Sequence, residues 1–161
     1  MQDGKILAAS HSGAYVIRLV GDVRLTLCTT IDDYFQRMYD DPDFASVWVD
    51  LCEADGIDST TLGLLAKLAL NVKEKFNFVP VIYSCDSGIN RLLKSMGFQR
   101  LFDVREETCG TLDGVNELPM VGGGEQTVKA QVLEAHRVLM DLSDENRARF
   151  KDLMVVLEHS N

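Results

Sequence analysis

Carboxylate and hydroxyl side chains are concentrated in one short stretch, in which Asp58, Ser59, Thr60 and Thr61 follow one another. An apolar run rich in β-branched residues, Val47 to Leu51, precedes it and predicts a buried strand. After it, apolar residues recur every three or four positions, which predicts an amphipathic helix; these are Leu62, Leu65, Ala69, Val72 and Phe76. The polar stretch is therefore expected where a loop enters the N-terminus of a helix.

Two interpretations of Asp58, Ser59 and Thr60 follow from that position. Short polar side chains commonly cap a helix, because they accept hydrogen bonds from the unpaired N–H groups of its first turn. The same N–H groups and the helix dipole also favour an added anion, including a phosphate. Capping is the commoner use of such residues, and the position alone leaves both interpretations open.

Length and charge restrict the classes of partner. The chain has 161 residues, which suits one core-forming domain with an appendage. A net charge of −9 argues against nucleic acid or an anionic membrane and favours protein partners. No apolar run approaches the roughly 18 residues of a membrane span, and Asp3 precedes the first apolar pair, unlike a secretory signal. We therefore expect a cytoplasmic protein.

Neither a metal site nor a cofactor is expected. The cysteines and histidines are widely separated and form no C-x-x-C pair; they are Cys28, Cys52, Cys85, Cys109, His11, His136 and His159. Metal-ligand spacing is therefore absent. All four cysteines are expected to be reduced thiols, buried or half-buried.

Strands and helices are predicted to alternate along the first two thirds of the chain. The predicted elements are a β-hairpin at 5–9 and 14–20, a helix opened by a capping box at Thr30 and ended before Pro42, strands at 47–51, 78–83 and 101–104, and a short helix that begins at Asp86 and closes at Gly97. Such alternation implies right-handed crossovers. The prediction is an α/β fold with a mixed, mainly parallel sheet covered by helices.

The composition changes after about residue 105. We expect a domain at 1–106, a flexible Gly-rich linker at 107–125 and a helical tail at 126–161. The glycine triplet at 122–124 is no phosphate-binding loop, since no Gly-Lys-Ser/Thr follows it. Two amphipathic helices in the tail suggest a C-terminal hairpin, which must pack on the domain, on itself or on another chain, self-association included. The domain is expected to fold without it.

With those residues in place, the chain from about 5 to 105 resembles the STAS domain, and within it the bacterial anti-sigma factor antagonists. Ile57 to Gly63 is similar to that family's apolar-Asp-Ser-Ser/Thr-Gly-Leu-Gly stretch. Ser84 to Phe98 looks like the family's strand-end loop and third helix, and Gly21-Asp22 falls where relatives have Gly-Glu/Asp. The resemblance does not extend to the tail.

This resemblance implies a function. Ser59 would be phosphorylated by a partner that is both serine kinase and anti-sigma factor, and a metal-dependent Ser/Thr phosphatase would remove the phosphate. The unphosphorylated form would bind the anti-sigma factor and free its sigma factor, and the phosphorylated form would release it. The residues implied in partner binding are Asp22, Arg24, Asp58, Ser59, Thr60, Thr61, Leu62 and Gly63.

Two residues depart from the family pattern. Thr61 stands where relatives commonly have Gly, which adds a β-branched side chain beside the phosphosite. Arg24 occupies a place where many relatives carry Asp. If its loop lies beside Ser59, Arg24 could pair with the phosphate, although a solvated loop cation is the simpler interpretation.

Two other functional classes are compatible with an α/β domain of this kind. A STAS module that is never phosphorylated, as a subunit of a transport or other protein complex, fits the same fold. An enzyme with Ser59 as nucleophile lacks support, because no Gly-x-Ser-x-Gly elbow is present and the histidines lie in the N-terminal strands or the tail. The sequence therefore predicts a non-enzymatic signalling protein.

Overall fold

The structure, a computed structural model, describes residues 2–110 and 113–160. Residues 111 and 112 of the expected linker lie outside the described residues, as do the two terminal residues. The described strands are β1 (Lys5–His11), β2 (Ala14–Val23), β3 (Ser46–Ile57), β4 (Val81–Tyr83), β5 (Asp103–Arg105) and β6 (Asn116–Glu117). The described α-helices are α1 (Cys28–Tyr39), α2 (Ser59–Phe76), α3 (Ser87–Ser95), α4 (Glu125–Leu142) and α5 (Asp144–Glu158).

The strands form one mixed sheet in the order β5-β4-β3-β2-β1-β6. β1 and β2 are the predicted antiparallel hairpin, while β3, β4 and β5 follow β2 in parallel. The predicted α/β class with a mixed, mainly parallel sheet is confirmed. It places the C-terminal ends of β2 and β3 side by side, and α2 begins directly after β3.

Several element boundaries differ from the prediction. α1 begins at Cys28, so the capping box predicted at Thr30 is wrong; Thr30 lies inside the helix, and its Oγ1 accepts a hydrogen bond from Val121 N at 2.9 Å. β4 begins only after Pro80, whose missing N–H suits a position just outside a strand. The segment expected to be linker contains β6, which pairs antiparallel with β1.

Three other helix ends that the sequence marked are found as predicted. The side chains of Asp58 and Asp86 cap α2 and α3. Gly97 follows α3 with a φ of 87°, in the left-handed region that glycine adopts without strain.

The core lies between the sheet and the helices and includes part of the tail. Leu51 of β3 and Leu65 of α2 are fully buried, and Leu139 of α4 and Phe150 of α5 belong to the same cluster. The C-terminal hairpin, meaning α4 and α5, thus packs both on the domain and on itself. Of the three ways of packing left open by the sequence, on the domain, on itself or on another chain, the first two occur together.

The cysteines depart from the expectation of four free thiols. Cys52 and Cys85 form a disulfide, with their Cα atoms 5.0 Å apart, while Cys28 and Cys109 are free. Parallel pairing of Asp50 with Tyr83 explains the contact, because each cysteine lies two residues beyond a member of that pair. The spacing of 33 residues gave no local signal of this pairing.

No helix within the described part of the chain combines the length and apolar character needed to cross a membrane.

Candidate functional site

Asp58 fixes the N-terminus of α2 and joins it to the loop after β2. Its Oδ1 accepts hydrogen bonds from the N–H of Thr61 at 2.9 Å and from the Thr61 hydroxyl at 2.8 Å. Its Oδ2 accepts a hydrogen bond from Leu25 N at 2.7 Å. The expected adjacency of this loop and the Ser59 region is therefore present. The capping interpretation holds for Asp58, whose two carboxylate oxygens are both used.

Ser59 is the first residue of α2, and its hydroxyl contacts the tail. Ser59 Oγ lies 2.7 Å from Nε2 of His136, a residue of α4. His136 Nδ1 lies 2.7 Å from the Val132 carbonyl oxygen, which can only accept, so Nδ1 carries a proton. In a neutral imidazole, Nε2 then accepts a hydrogen bond from the Ser59 hydroxyl. The predicted phosphosite is therefore engaged with the C-terminal hairpin.

His136 is enclosed on both sides. It is 2% exposed, and its ring meets the Phe150 ring edge-on at 5.2 Å between centroids. The sequence did not predict the contact of His136 with Ser59, because 77 residues separate them and only the docking of α4 brings them together. The amphipathic pattern of α4 was the available signal, but it did not show which surface α4 covers.

α4 crosses α2 at very short range. A Cβ atom added to Gly63 would lie 2.3 Å from the Ala135 carbonyl oxygen and 2.6 Å from the Ala135 Cβ. One turn further along α2, Lys67 Nζ lies 3.2 Å from a Glu134 carboxylate oxygen. Ser59, Gly63 and Lys67 recur every fourth residue, so they form one stripe of α2, and α4 covers that stripe.

Four of the predicted partner-binding residues are buried. Thr60 is 3%, Thr61 0% and Leu62 1% exposed, and Gly63 is buried beneath Ala135. Thr61, the departure from the family's glycine, directs its hydroxyl to the Asp58 cap. Of these four, Gly63 is covered by α4, so a partner reaches Gly63 only on a surface from which α4 has moved.

The other predicted site residues stay accessible. Ser59 and Asp58 are half-buried. Arg24 Nε donates a hydrogen bond to Asp22 Oδ2 at 2.7 Å, and the Arg24 side chain is 64% exposed. The Asp22 carboxylate, as hydrogen-bond partner and as neighbouring charge, raises the pKa of Arg24.

A serine hydroxyl donating to an imidazole is also the arrangement of an activated nucleophile. In this protein the imidazole is buried, and its second nitrogen faces a backbone carbonyl oxygen rather than a carboxylate. The surface clefts beside α3 and at the α4–α5 turn are lined by other residues. The burial of the imidazole and the backbone partner of its Nδ1 differ from a catalytic serine–histidine pair, and we interpret the Ser59–His136 contact as packing.

Comparisons with known proteins add no further assignment. No protein-family model matches the chain, and no curated protein matches it either. Across residues 2–110 and 113–160, no group of three or more His, Cys, Asp or Glu side chains is arranged to hold a metal ion. Support for a function therefore comes from the motif residues and from the geometry around Ser59.

Proposed function

We propose that this protein is an anti-sigma factor antagonist with a STAS-like domain, in which phosphorylation of Ser59 acts as the switch. The observation that carries the proposal is the position of Ser59 at the first residue of α2. There, Asp58 caps the helix and ties it to the loop after β2, in which Arg24 pairs with Asp22 at the end of β2. This grouping supports the partner surface that the motif implies. Ser59 itself, which carries the hydroxyl to be phosphorylated, is half-buried.

A phosphoryl group at this position changes binding strongly. It adds about −1.5 to −2 charges and three acceptor oxygens at the place of a small hydroxyl. At a docked interface that charge must be desolvated, which costs several kcal/mol when it is left unpaired. A loss of about 3 kcal/mol weakens binding by more than about a hundredfold. One modification is thus sufficient to release a partner.

The partners follow from this role. The unphosphorylated form binds an anti-sigma factor that is also the serine kinase, and thereby frees the sigma factor. Phosphorylation of Ser59 by that kinase ends the complex, and a metal-dependent Ser/Thr phosphatase restores the binding form. The protein itself catalyses no step, and a net charge of −9 agrees with protein partners rather than nucleic acid.

The proposal is tested by using full-length variants as baits in an extract of the native cell. Ser59→Ala should retain an anti-sigma factor that carries a kinase domain, while Ser59→Asp and Ser59→Glu should retain far less. Thr60→Ala is the matched control, because it removes the neighbouring hydroxyl and leaves the phosphosite. Equal retention of that anti-sigma factor by Ser59→Ala and Ser59→Asp would disprove the switch.

A second candidate is a STAS module that works in a protein complex without phosphorylation. The observation in its favour is that the Ser59 hydroxyl already donates to buried His136, which gives the serine a structural use. In that case Ser59→Ala and Thr60→Ala should bind the same partners as the unmodified protein, and Ser59 should carry no phosphate in the native cell.

A further inference from the structure

The surface around Ser59 is occupied by the chain's own C-terminal hairpin. We propose that this docking and the phosphorylation of Ser59 exclude one another, so that a phosphoryl group on Ser59 releases α4 and α5 from α2. This inference rests on the proposed function, because it concerns the regulation of the same serine. It goes beyond the proposed function because it assigns a response to phosphorylation to the C-terminal hairpin, a segment that the resemblance to the STAS domain does not cover.

The Ser59 hydroxyl, as it is oriented in the structure, has no room for a larger group. Ser59 Oγ lies 2.7 Å from His136 Nε2, so the imidazole occupies the space into which the hydroxyl proton points. Phosphorylation replaces that proton with a phosphorus atom and three oxygens. The hydrogen bond to Nε2 is lost, and in the observed orientation of the Ser59 side chain the larger group overlaps the volume of the ring.

The His136 ring has no free direction in which to turn. Its Nδ1 donates to the Val132 carbonyl oxygen at 2.7 Å, and the Phe150 ring of α5 packs against it. The ring is 2% exposed, so rotation meets packed atoms rather than solvent. A clash at Ser59 is therefore passed to the backbone of α4 and to α5.

α4 cannot relieve a clash at Ser59 by a small local shift. Ala135 lies directly on Gly63 without room for one added carbon atom. Gln131 Oε1, one turn before Ala135, accepts a hydrogen bond from the Thr29 hydroxyl at 2.9 Å. Contacts this close, spread along one helix face, are made or lost together. Displacement at Ser59 is thus expected to move the hairpin as a unit.

Release of the hairpin would change the exposed surface of the protein as well as its charge. It would uncover the Ser59, Gly63 and Lys67 stripe of α2, together with the buried apolar side chains of the hairpin, among them Leu139 and Met154. The two phosphorylation states would then present different surfaces to a partner. By linkage, docking of the hairpin must lower the equilibrium constant for phosphorylation by the same factor by which phosphorylation lowers the equilibrium constant for docking.

The test uses full-length protein with phosphoserine incorporated at position 59 during translation, and it follows amide hydrogen exchange by mass spectrometry. Coupling between two sites is typically about 5- to 150-fold. We expect amides of α4, α5 and the first turn of α2 to exchange at least about tenfold faster than in unmodified protein, with β3 unchanged. Ser59→Ala, which adds no bulk, should keep the hairpin protected.

Ser87 provides a matched control within the same chain. It is also the first residue of a helix, it also follows a capping aspartate, Asp86, and it is exposed. Phosphoserine at position 87 should leave the exchange of the hairpin unchanged. If both phosphoproteins loosened the hairpin equally, the effect would be one of charge alone, and the steric argument would be wrong.

A second pair of variants tests undocking without phosphate. Ala135→Arg places a large side chain at the buried contact with Gly63, and Ala130→Arg makes the same change at an exposed position of α4. Only Ala135→Arg should reproduce the exchange pattern of phosphoserine 59. Loss of protection throughout β3 in Ala135→Arg would overturn the inference, since the hairpin would then be an inseparable part of the core.

The outcomes separate the two proposals. A hairpin that stays protected in the protein with phosphoserine at position 59 overturns this inference and leaves the proposed function intact. Absence of phosphate on Ser59 in the native cell removes the proposed function, while the exchange result would still report the physical coupling.

Discussion

Ser59 differs from an ordinary helix-capping serine in what covers it. The pair Asp58-Ser59 at α2 recurs as Asp86-Ser87 at α3, with the same cap geometry in which the aspartate accepts from the N–H three residues on. Ser87 is exposed, whereas Ser59 donates to a buried histidine. Helix capping therefore does not distinguish the two serines. The contact with α4 does.

The first prediction concerns Asp58. Asp58→Ala removes the cap bonds to Thr61 and the bond from Leu25 N, so the free energy of unfolding should fall by about 1–3 kcal/mol. Urea denaturation followed by circular dichroism measures this change. Asp55→Ala is the control, because Asp55 is exposed on the same segment and its removal should change stability by less than about 0.5 kcal/mol. Equal effects would show that Asp58 does not organise the loop.

At this scale the sequence predicted the cap and the candidate serine but missed His136. Asp58 and Asp86 were recognised because a cap is a local feature, set by residues within one turn. His136 is 77 residues from Ser59, and its position depends on tertiary packing that no local pattern encodes.

Among the elements, the crossing of α4 over α2 is the least expected contact. Glycine inside a helix is normally unfavourable, and Gly63→Ala at an open site would stabilise by about 0.5–1 kcal/mol. Here the added carbon atom meets the Ala135 carbonyl oxygen, a backbone atom that must move. We predict that Gly63→Ala destabilises by about 1–3 kcal/mol in chemical denaturation. A stabilising effect would mean that the two helices do not approach this closely.

The disulfide joins Cys52 in the middle of β3 to Cys85 in the loop between β4 and α3. Cross-linking residues 33 apart restricts the unfolded chain and typically stabilises by about 2–4 kcal/mol. Adding a reductant should therefore lower the urea midpoint of the unmodified protein. The variant with both Cys52→Ala and Cys85→Ala should show no response to the reductant. If the unmodified protein gave the same midpoint with and without reductant, the bond would contribute nothing to stability.

Secondary structure was predictable where hydrophobic periodicity was strong. The β1–β2 hairpin, α2 and both tail helices were expected and are present. The errors fall where tertiary contacts are involved. α1 begins before its apparent capping box, and the Thr30 hydroxyl accepts a hydrogen bond from Val121 N instead of capping the helix. The two residues of β6 have no pattern of their own and are ordered by pairing with β1.

Over the whole molecule, the C-terminal hairpin takes part in the core instead of standing apart from it. Its Leu139 is fully buried and Phe150 is 7% exposed. The sequence showed that the stripes of the tail needed a partner but not which one, because amphipathic helices can bury the same face in several ways. The surface that α4 covers is determined by complementary shape, because Gly63 of α2 lets Ala135 of α4 approach closely.

A fragment that ends near residue 108 tests how separable the hairpin is. We expect it to stay soluble and to melt cooperatively, because the parallel strands and α1 to α3 remain. It should melt at a lower temperature than the full chain, since the face of α2 beneath α4 becomes exposed. Thermal melting by circular dichroism provides the comparison. Aggregation or a non-cooperative melt would show that the hairpin completes the core.

The most direct measurement is phosphopeptide mapping of the protein isolated from its native cell, and of the same protein after incubation with native extract and ATP. The account predicts a single phosphate on Ser59, absent from Ser59→Ala and retained in Thr60→Ala. A Ser59 without phosphate under both conditions, or full incorporation in Ser59→Ala, would contradict it.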